Sequence, residues 1–558
     1  MENTLPIHKS HSRTEFNADV LANIELTELK LDISSATLEL KTPIIKINKT
    51  TLLTNTAAQL NLSGFANEND WNFHSSKGFI NTAIQTKDLS VKQGNLTWQD
   101  IQLAKADSVR TEKNNKLSII KSSAKSLNIK GNITHKLAQV ESVNLSLRQA
   151  KLEPIYYQKP ELENKFQAYQ FSTRYQLQTA KLKQPNLIPQ SWKLLVKLKA
   201  QYSPKANSIL DLNAQGSISN KAGLVAFHNA FYSPKQIYSD WEIPPIYFLA
   251  GNSLQKTFKD WPKLLTFGSG TLQAKGTSKY NLSSLKKAER WQDKLYTQAE
   301  ISSNKVSGIF SETTINQLTS EIQINLNKTN LTTKLPELKI VQINHGVIAG
   351  PIEFKGEYQA SLNQLTQGKL NLHTAKTDLF NGQAWLNAQL FDFSQPFLSK
   401  LHLSNLDLHA LLEQYPSADI KGSGKINGEL PFKVNLLKKP YLTLPEGFIK
   451  AKAPGGQIKY QPTSAGLKQT HQSMKLIMNV LEDFHYSLLN SNISYGDDNK
   501  LHLKLSLQGN NPAVENGRQV NFNIQLEEDL PALITSMQIS NQVSETIKKR
   551  IQNKLQRQ

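Results

Sequence analysis

Residues able to do chemistry are few in this chain and poorly spaced for it. There are 12 His but no His-Glu-x-x-His run and no His pair at metal-ligand spacing. His485, between Phe484 and Tyr486, reads as a packed or surface residue. Cys is absent, which removes disulfide frameworks, iron–sulfur clusters, zinc fingers and thiol nucleophiles together. Gly422-Ser-Gly-Lys425 resembles a phosphate-cradling loop in outline. However, Asp419 stands where the loop's first Gly belongs, and Ile426 replaces the hydroxyl that would hold magnesium, so the segment reads as a structural turn. No Gly-x-Ser-x-Gly elbow is present. Asp497 and Asp498 adjoin in a turn and suit solvent better than acid–base work. The expectation is a chain with no catalytic residues, no metal site and no cofactor, and not an enzyme.

The surrounding elements are therefore the main source of information. The dominant pattern is strict apolar–polar alternation: Val143, Leu145, Leu147; Leu194, Val196, Leu198, Ala200; Ile322, Ile324, Leu326; Leu401, Leu403. It is clearest in Leu501, Leu503, Leu505, Leu507 and in Val520, Phe522, Ile524, Leu526. Period two places one kind of side chain on each face of a strand, giving one dry face and one wet face. Asn381-Gly382, Asn427-Gly428 and Asn516-Gly517 are expected to be tight hairpin turns, and Gly496–Asn499 a further turn. The long amphipathic helices that would space parallel strands are missing. Helices are expected at 283–296, 408–414 and 467–484, and best of all at 530–556, where the apolar residues fall on one face and the last turns are basic. The two prolines of Trp241–Leu249 point to a loop tucked into a dry interior rather than a central strand.

Hydrophobic residues make up 38% of 558, which is low for one large compact core. No run approaches the roughly 18 apolar residues of a membrane-spanning helix, and residues 1–19 lack the apolar core of a signal peptide. The net charge of +20 comes from Lys spread along the polar faces of strands, not from a basic block with interleaved aromatics, so nucleic acid is not expected. The cluster Lys548, Lys549, Arg550 and Lys554 is the candidate contact with lipid headgroups or a partner.

At about 14 residues per strand and turn, the chain holds about 40 strands, too many for so few helices to cover. A long antiparallel sheet curled into a trough would cover its own dry face in part and leave an apolar channel. Acyl chains suit such a channel, since each buried methylene gains about 0.8 kcal/mol without specific polar contacts. The fold class expected is mainly β: an elongated, curled antiparallel sheet with a few short helices and an amphipathic C-terminal helix. Candidate groove residues are Leu501, Leu503, Leu505, Leu507, Val520, Phe522, Ile524 and Leu526.

Four phrases carry a resemblance: Asn405-Leu-Asp-Leu408 with Leu411-Leu412; Gly424-Lys-Ile-Asn-Gly428-Glu-Leu-Pro431; Ala453-Pro-Gly-Gly456 leading to Tyr460; and Asn516-Gly517-Arg518 running through Leu530-Pro531-Ala532-Leu533. Residues 337–558 resemble the YdbH-type intermembrane phospholipid transport proteins of the AsmA-like superfamily, whose terminal region also carries the label of a "dicarboxylate transport" domain. The resemblance implies a periplasmic bridge between the inner and outer membranes of a Gram-negative envelope, along which phospholipids slide. It also implies an outer-membrane lipoprotein partner at the C-terminal end. Members usually begin with an inner-membrane helix and an additional N-terminal region, so the expectation is either a fragment or truncated gene product, or an anchor carried by another chain. The organisation expected is a poorly ordered 1–20, groove strands over 21–300, connecting strands over 301–336 and a family-like β domain over 337–558. Two other functions fit a β-trough: an assembly factor for outer-membrane biogenesis acting through exposed sheet edges, and a small-dicarboxylate binding or transport component.

Overall fold

The structure, a computed structural model, describes residues 14–47, 51–110, 116–135, 138–159, 162–282, 291–415, 419–461, 472–496 and 498–539. Among these, 28 strands belong to one antiparallel sheet. Strands are longer than the sequence estimate assumed, reaching 23 residues in Leu162–Gln184, so the same chain length makes 28 rather than about 40 of them. Consecutive strands pair as hairpins from Glu15–Glu25 through Gln236–Tyr247, and again from Leu295–Phe310 through Lys369–Leu379.

Two compact units are present. The N-terminal unit comprises 1–246, 253–261 and 275–295; the C-terminal unit comprises 247–252, 262–274 and 296–558. The strand Glu15–Glu25 includes the last residues of the segment 1–20 that the sequence reading expected to be poorly ordered. Helices among the described residues are α1 (Leu408–Gln414), α2 (Gln472–Leu481) and α3, which occupies 530–539. All three belong to the C-terminal unit. None is long and apolar enough to cross a membrane.

Several local expectations need correction. Trp241–Leu249 is not a loop: its residues to Tyr247 complete the strand Gln236–Tyr247. Pairing with the preceding strand ends at Glu242, so Pro244 and Pro245, which have no N–H to give, lie beyond that ladder. The helix expected over 283–296 is absent from 291 onward. Residues Trp291–Lys294 form a 3₁₀ turn and Leu295 opens a 16-residue strand. Phe484 does not end a helix but begins the strand Phe484–Tyr495. Asn427-Gly428 is not a turn either. It lies inside the strand Lys425–Val434, where a Cβ on Gly428 would stand 2.6 Å from the Phe448 carbonyl oxygen, so the glycine permits close strand approach. The hairpin at 379–382 has Phe380 and Asn381 as its two left-handed residues, with Gly382 already in the next strand.

Non-glycine residues with positive φ mark the register shifts: Asn55, Gln93, Gln149, Lys305 and Asn405 all sit at or beside one. Each adds a residue to one strand and increases the local twist. At Asn55, Gln149, Lys305 and Asn405 no glycine or proline within the shift announces the bulge, whereas Gly94 follows Gln93.

Candidate functional site

Alternation fixes a face for each strand, and the pairing register decides whether the faces line up. In the N-terminal unit they do. Phe16, Leu40, Ala58, Ile80, Leu96 and Ile129 are successive cross-strand partners, and Leu145, Leu177, Leu194, Ile218 and Ala226 continue the line. Residues directly opposite on antiparallel strands share a face. This is therefore one apolar row crossing eleven strands, and ten spacings of about 4.8 Å make it about 48 Å long. A second row lies two residues along each strand and includes Leu38, Leu60, Trp98, Leu127, Leu147 and Val196. On the opposite face the corresponding row reads Glu39, Gln59, Thr97, Asn128, Ser146 and Gln176, broken by Phe79, Leu195 and Phe227.

The first row is not a sealed core. None of its eleven members is fully buried; Ile129 is 40% exposed and Phe16 63%. No α-helix lies in this unit among the described residues. Contiguous exposed apolar surface of this extent marks a binding surface. Its floor is shaped by Trp98, whose ring lies against Gly78, where a Cβ would stand 2.1 Å from Cζ2, and whose Nε1–H donates to Ser75 Oγ at 2.9 Å. One border carries hydroxyls satisfied by one another: Thr14 with Thr42 at 3.0 Å and Thr56 with Thr82 at 2.9 Å. Near the last strands, the segment 253–258 packs on the same face. Asn220, two residues beyond Ile218, donates from Nδ2 to Thr257 Oγ1 at 2.8 Å, and Thr257 Oγ1 donates to the Ser253 carbonyl at 2.7 Å.

The C-terminal unit has its own row, through Val306, Leu318, Ile340, Ile352, Thr377 and Ala384, then Leu403, Gly428, Ile449, Ser491, Leu505 and Ile524. Here Val306, Ala384, Leu403 and Ser491 are buried, and at the last strands helices cover the face. Leu408 of α1 and Val480 of α2 share a core cluster with Ile458, Phe484, Tyr486, Leu489 and Leu507. Tyr486 is 2% exposed, and burial pushes its phenol up to about 12; its O–H donates to the Ser423 carbonyl at 2.8 Å. Three of the phrases quoted from the sequence meet around it. Gly424, at φ +122, and Gly456 would each put a Cβ within 2.6 Å of the Tyr486 hydroxyl, and Gly455 would put one against its backbone. Gly422–Lys425 is thus a packing device. Asp407 caps α1 by accepting from the His409 N–H at 2.9 Å and pairs with Lys425 at 3.0 Å. Burial works to raise its carboxyl pKa, but these two partners hold it below the ordinary carboxylate value.

Within this unit the sheet folds back on itself. The Tyr415 O–H, just past α1, donates to Glu528 Oε1 at 3.0 Å, and Gln414 Oε1 accepts from the Ile348 N–H at 3.0 Å. A Cβ at Gly346 would stand 2.9 Å from the Ile534 carbonyl of α3, and Gln538 bonds His345 Nδ1 at 3.3 Å. α3 therefore meets the turn between Asn330–Asn344 and Ile348–Ser361, about 190 residues earlier, while the last strand meets the end of α1.

The eight groove residues named from the sequence fall on paired strands: Leu503 opposite Leu526, Leu505 opposite Ile524, Leu507 opposite Phe522. Leu505, Leu507, Val520, Phe522 and Ile524 pack in the helix-covered cluster, with Leu507 only 2% exposed, whereas Leu501, Leu503 and Leu526 stand outside it. The row in the N-terminal unit was missed because it is a property of register. Its signal was present as alternating triplets such as Val143–Leu147, but no triplet states its partner. Lys548, Lys549, Arg550 and Lys554 lie outside the described residues.

The N-terminal unit thus presents a half-exposed apolar row crossing eleven strands of an open antiparallel sheet, a surface whose shape and polarity suit long apolar ligands. The family described as "YdbH-like: Intermembrane phospholipid transport protein YdbH" matches residues 2–552, and the chain belongs to that family. The match extends well beyond the stretch 337–558 on which the sequence resemblance rests. No curated protein matches the chain. The family is one of phospholipid transport rather than of enzymes, and its cargo implies an envelope-bridging role.

Proposed function

We propose that phospholipids move along the apolar rows of this chain with their acyl chains on the sheet and their headgroups toward solvent, crossing the periplasm between inner and outer membranes. The observation that carries this reading is the row from Phe16 to Ala226, apolar at every one of its eleven positions and fully buried at none. Its length of about 48 Å exceeds the roughly 30 Å hydrocarbon thickness of a bilayer. Contact with such a row is non-directional, so a chain can slide by exchanging one methylene contact for the next at nearly constant free energy. Lys548, Lys549, Arg550 and Lys554 supply headgroup contact at the C-terminal end, where an outer-membrane lipoprotein receives the cargo. The test is native mass spectrometry with lipid extraction on the chain purified in mild detergent. Phospholipid bound at more than one molecule per chain is expected, and a chain that emerges free of lipid refutes the reading.

A further inference from the structure

The covered end of the C-terminal row leaves a cavity of about 70 Å³, bounded by Leu476 and Ile477 of α2, Val514, and Val520 and Phe522 of the last strand. That is several times the roughly 10–15 Å³ that admits one water, so it takes the end of a chain and not a whole lipid. We propose that it is a holding site for one acyl chain of a phospholipid whose phosphate pairs with Arg518 at the mouth. This rests on the lipid-path reading above and adds a defined terminus to it.

Three observations support the assignment. First, the cavity is continuous with the row: Phe522 stands opposite Leu507, and Ile524, the row's last member, is two residues on. Because α1 and α2 cover the face at this point, a chain arriving along the row meets the flank of α2, where Leu476 and Ile477 remain 46% and 38% exposed. Second, the walls are preformed. Asn511 donates from Nδ2 to the Asn479 carbonyl at 2.9 Å and the Val480 carbonyl at 3.3 Å, which ties the turn before the last strand to α2. Phe522 packs edge-on to Phe484 at 5.3 Å. Third, Arg518 sits at the rim with its side chain 77% exposed, paired with Glu515 at a loose 3.7 Å. A guanidinium with donors to spare suits a phosphate oxygen pair. An apolar slot whose mouth carries Arg518 beside Glu515 matches a phospholipid, apolar in its tail and charged in its headgroup.

The test places a benzophenone photo-crosslinking residue at Ile477 and, separately, at Ile129 in the full chain. The probes are vesicles of phosphatidylethanolamine and phosphatidylglycerol. Lipid adducts are expected at both positions. Val514→Trp, which fills the slot and displaces about two methylenes, lowers the adduct at Ile477 by about tenfold and leaves that at Ile129 unchanged. Arg518→Glu, a surface change that leaves the walls intact, lowers it as well. Adducts at Ile129 but none at Ile477 overturn the holding site and leave the path standing. Adducts at neither refute the path itself. An Ile477 adduct indifferent to both Val514→Trp and Arg518→Glu places lipid on the outside of α2 and also overturns the site.

Discussion

Placing charge in the middle of the N-terminal row separates a path from a merely apolar surface. Leu145 and Leu177 are direct cross-strand partners at the seventh and eighth positions of that row, and both are half-buried. Full burial of Leu is worth about 1.5–3 kcal/mol, so Leu145→Asp with Leu177→Asp costs about 2 kcal/mol of burial. Like charges directly opposite add up to about 1 kcal/mol. An extensively hydrogen-bonded sheet tolerates that loss. A sliding acyl chain, in contrast, loses contact for about four methylenes, or about 3 kcal/mol, which slows passage by about 100-fold. The assay tethers the chain at one end to donor vesicles and at the other to acceptor vesicles and follows dequenching of a fluorescent phospholipid. The control is Asn144→Asp with Gln178→Asp, the adjacent pair on the opposite face. Transfer in the row variant at the rate of the unmodified protein, with circular dichroism showing the strands intact, refutes the argument that tails run on this row.

Three further outcomes are expected. Gly78→Ala drives a Cβ into the Trp98 ring, breaks its bond to Ser75 and costs about 1–3 kcal/mol; a lowered urea midpoint and a red-shifted tryptophan emission report it. Tyr486 is neutral in the fold up to about pH 12, whereas an unfolded phenol ionises near 10. Its contribution is therefore complete below about pH 10 and is lost as pH rises from there toward 12, and Tyr486→Phe flattens that decline in urea midpoints measured across the interval. Tyr415→Phe deletes the bond to Glu528, costs about 1.5–3 kcal/mol and speeds hydrogen exchange in 530–539, because Glu528 lies two residues before α3.

The sequence alone determined that this is a sheet with two unlike faces. Leu501 to Leu507 and Val520 to Leu526 alternate because a pleated strand sends successive side chains to opposite sides, a constraint local enough to be read from one strand. It also determined α1, expected at 408–414 and found as Leu408–Gln414, whereas its cap, Asp407, became visible only in the structure. What it left open are properties of pairs of strands. Whether Leu145 meets Leu177, and so whether eleven separate apolar positions become one row, depends on registers set by hairpin turns and by bulges at residues such as Gln149, where a non-glycine residue adopts a left-handed conformation. Gly428 and Asn427 have the composition of a turn but lie within a strand, because there the packing partner, Phe448, dictates a residue without a side chain. Most of the named groove residues, Leu507 and Phe522 among them, proved to lie beneath α1 and α2. Alternation marks a dry face without saying what covers it. Only the tertiary fold decides that, because cover comes from segments distant in sequence and is selected by the total apolar area removed from water rather than by any local preference.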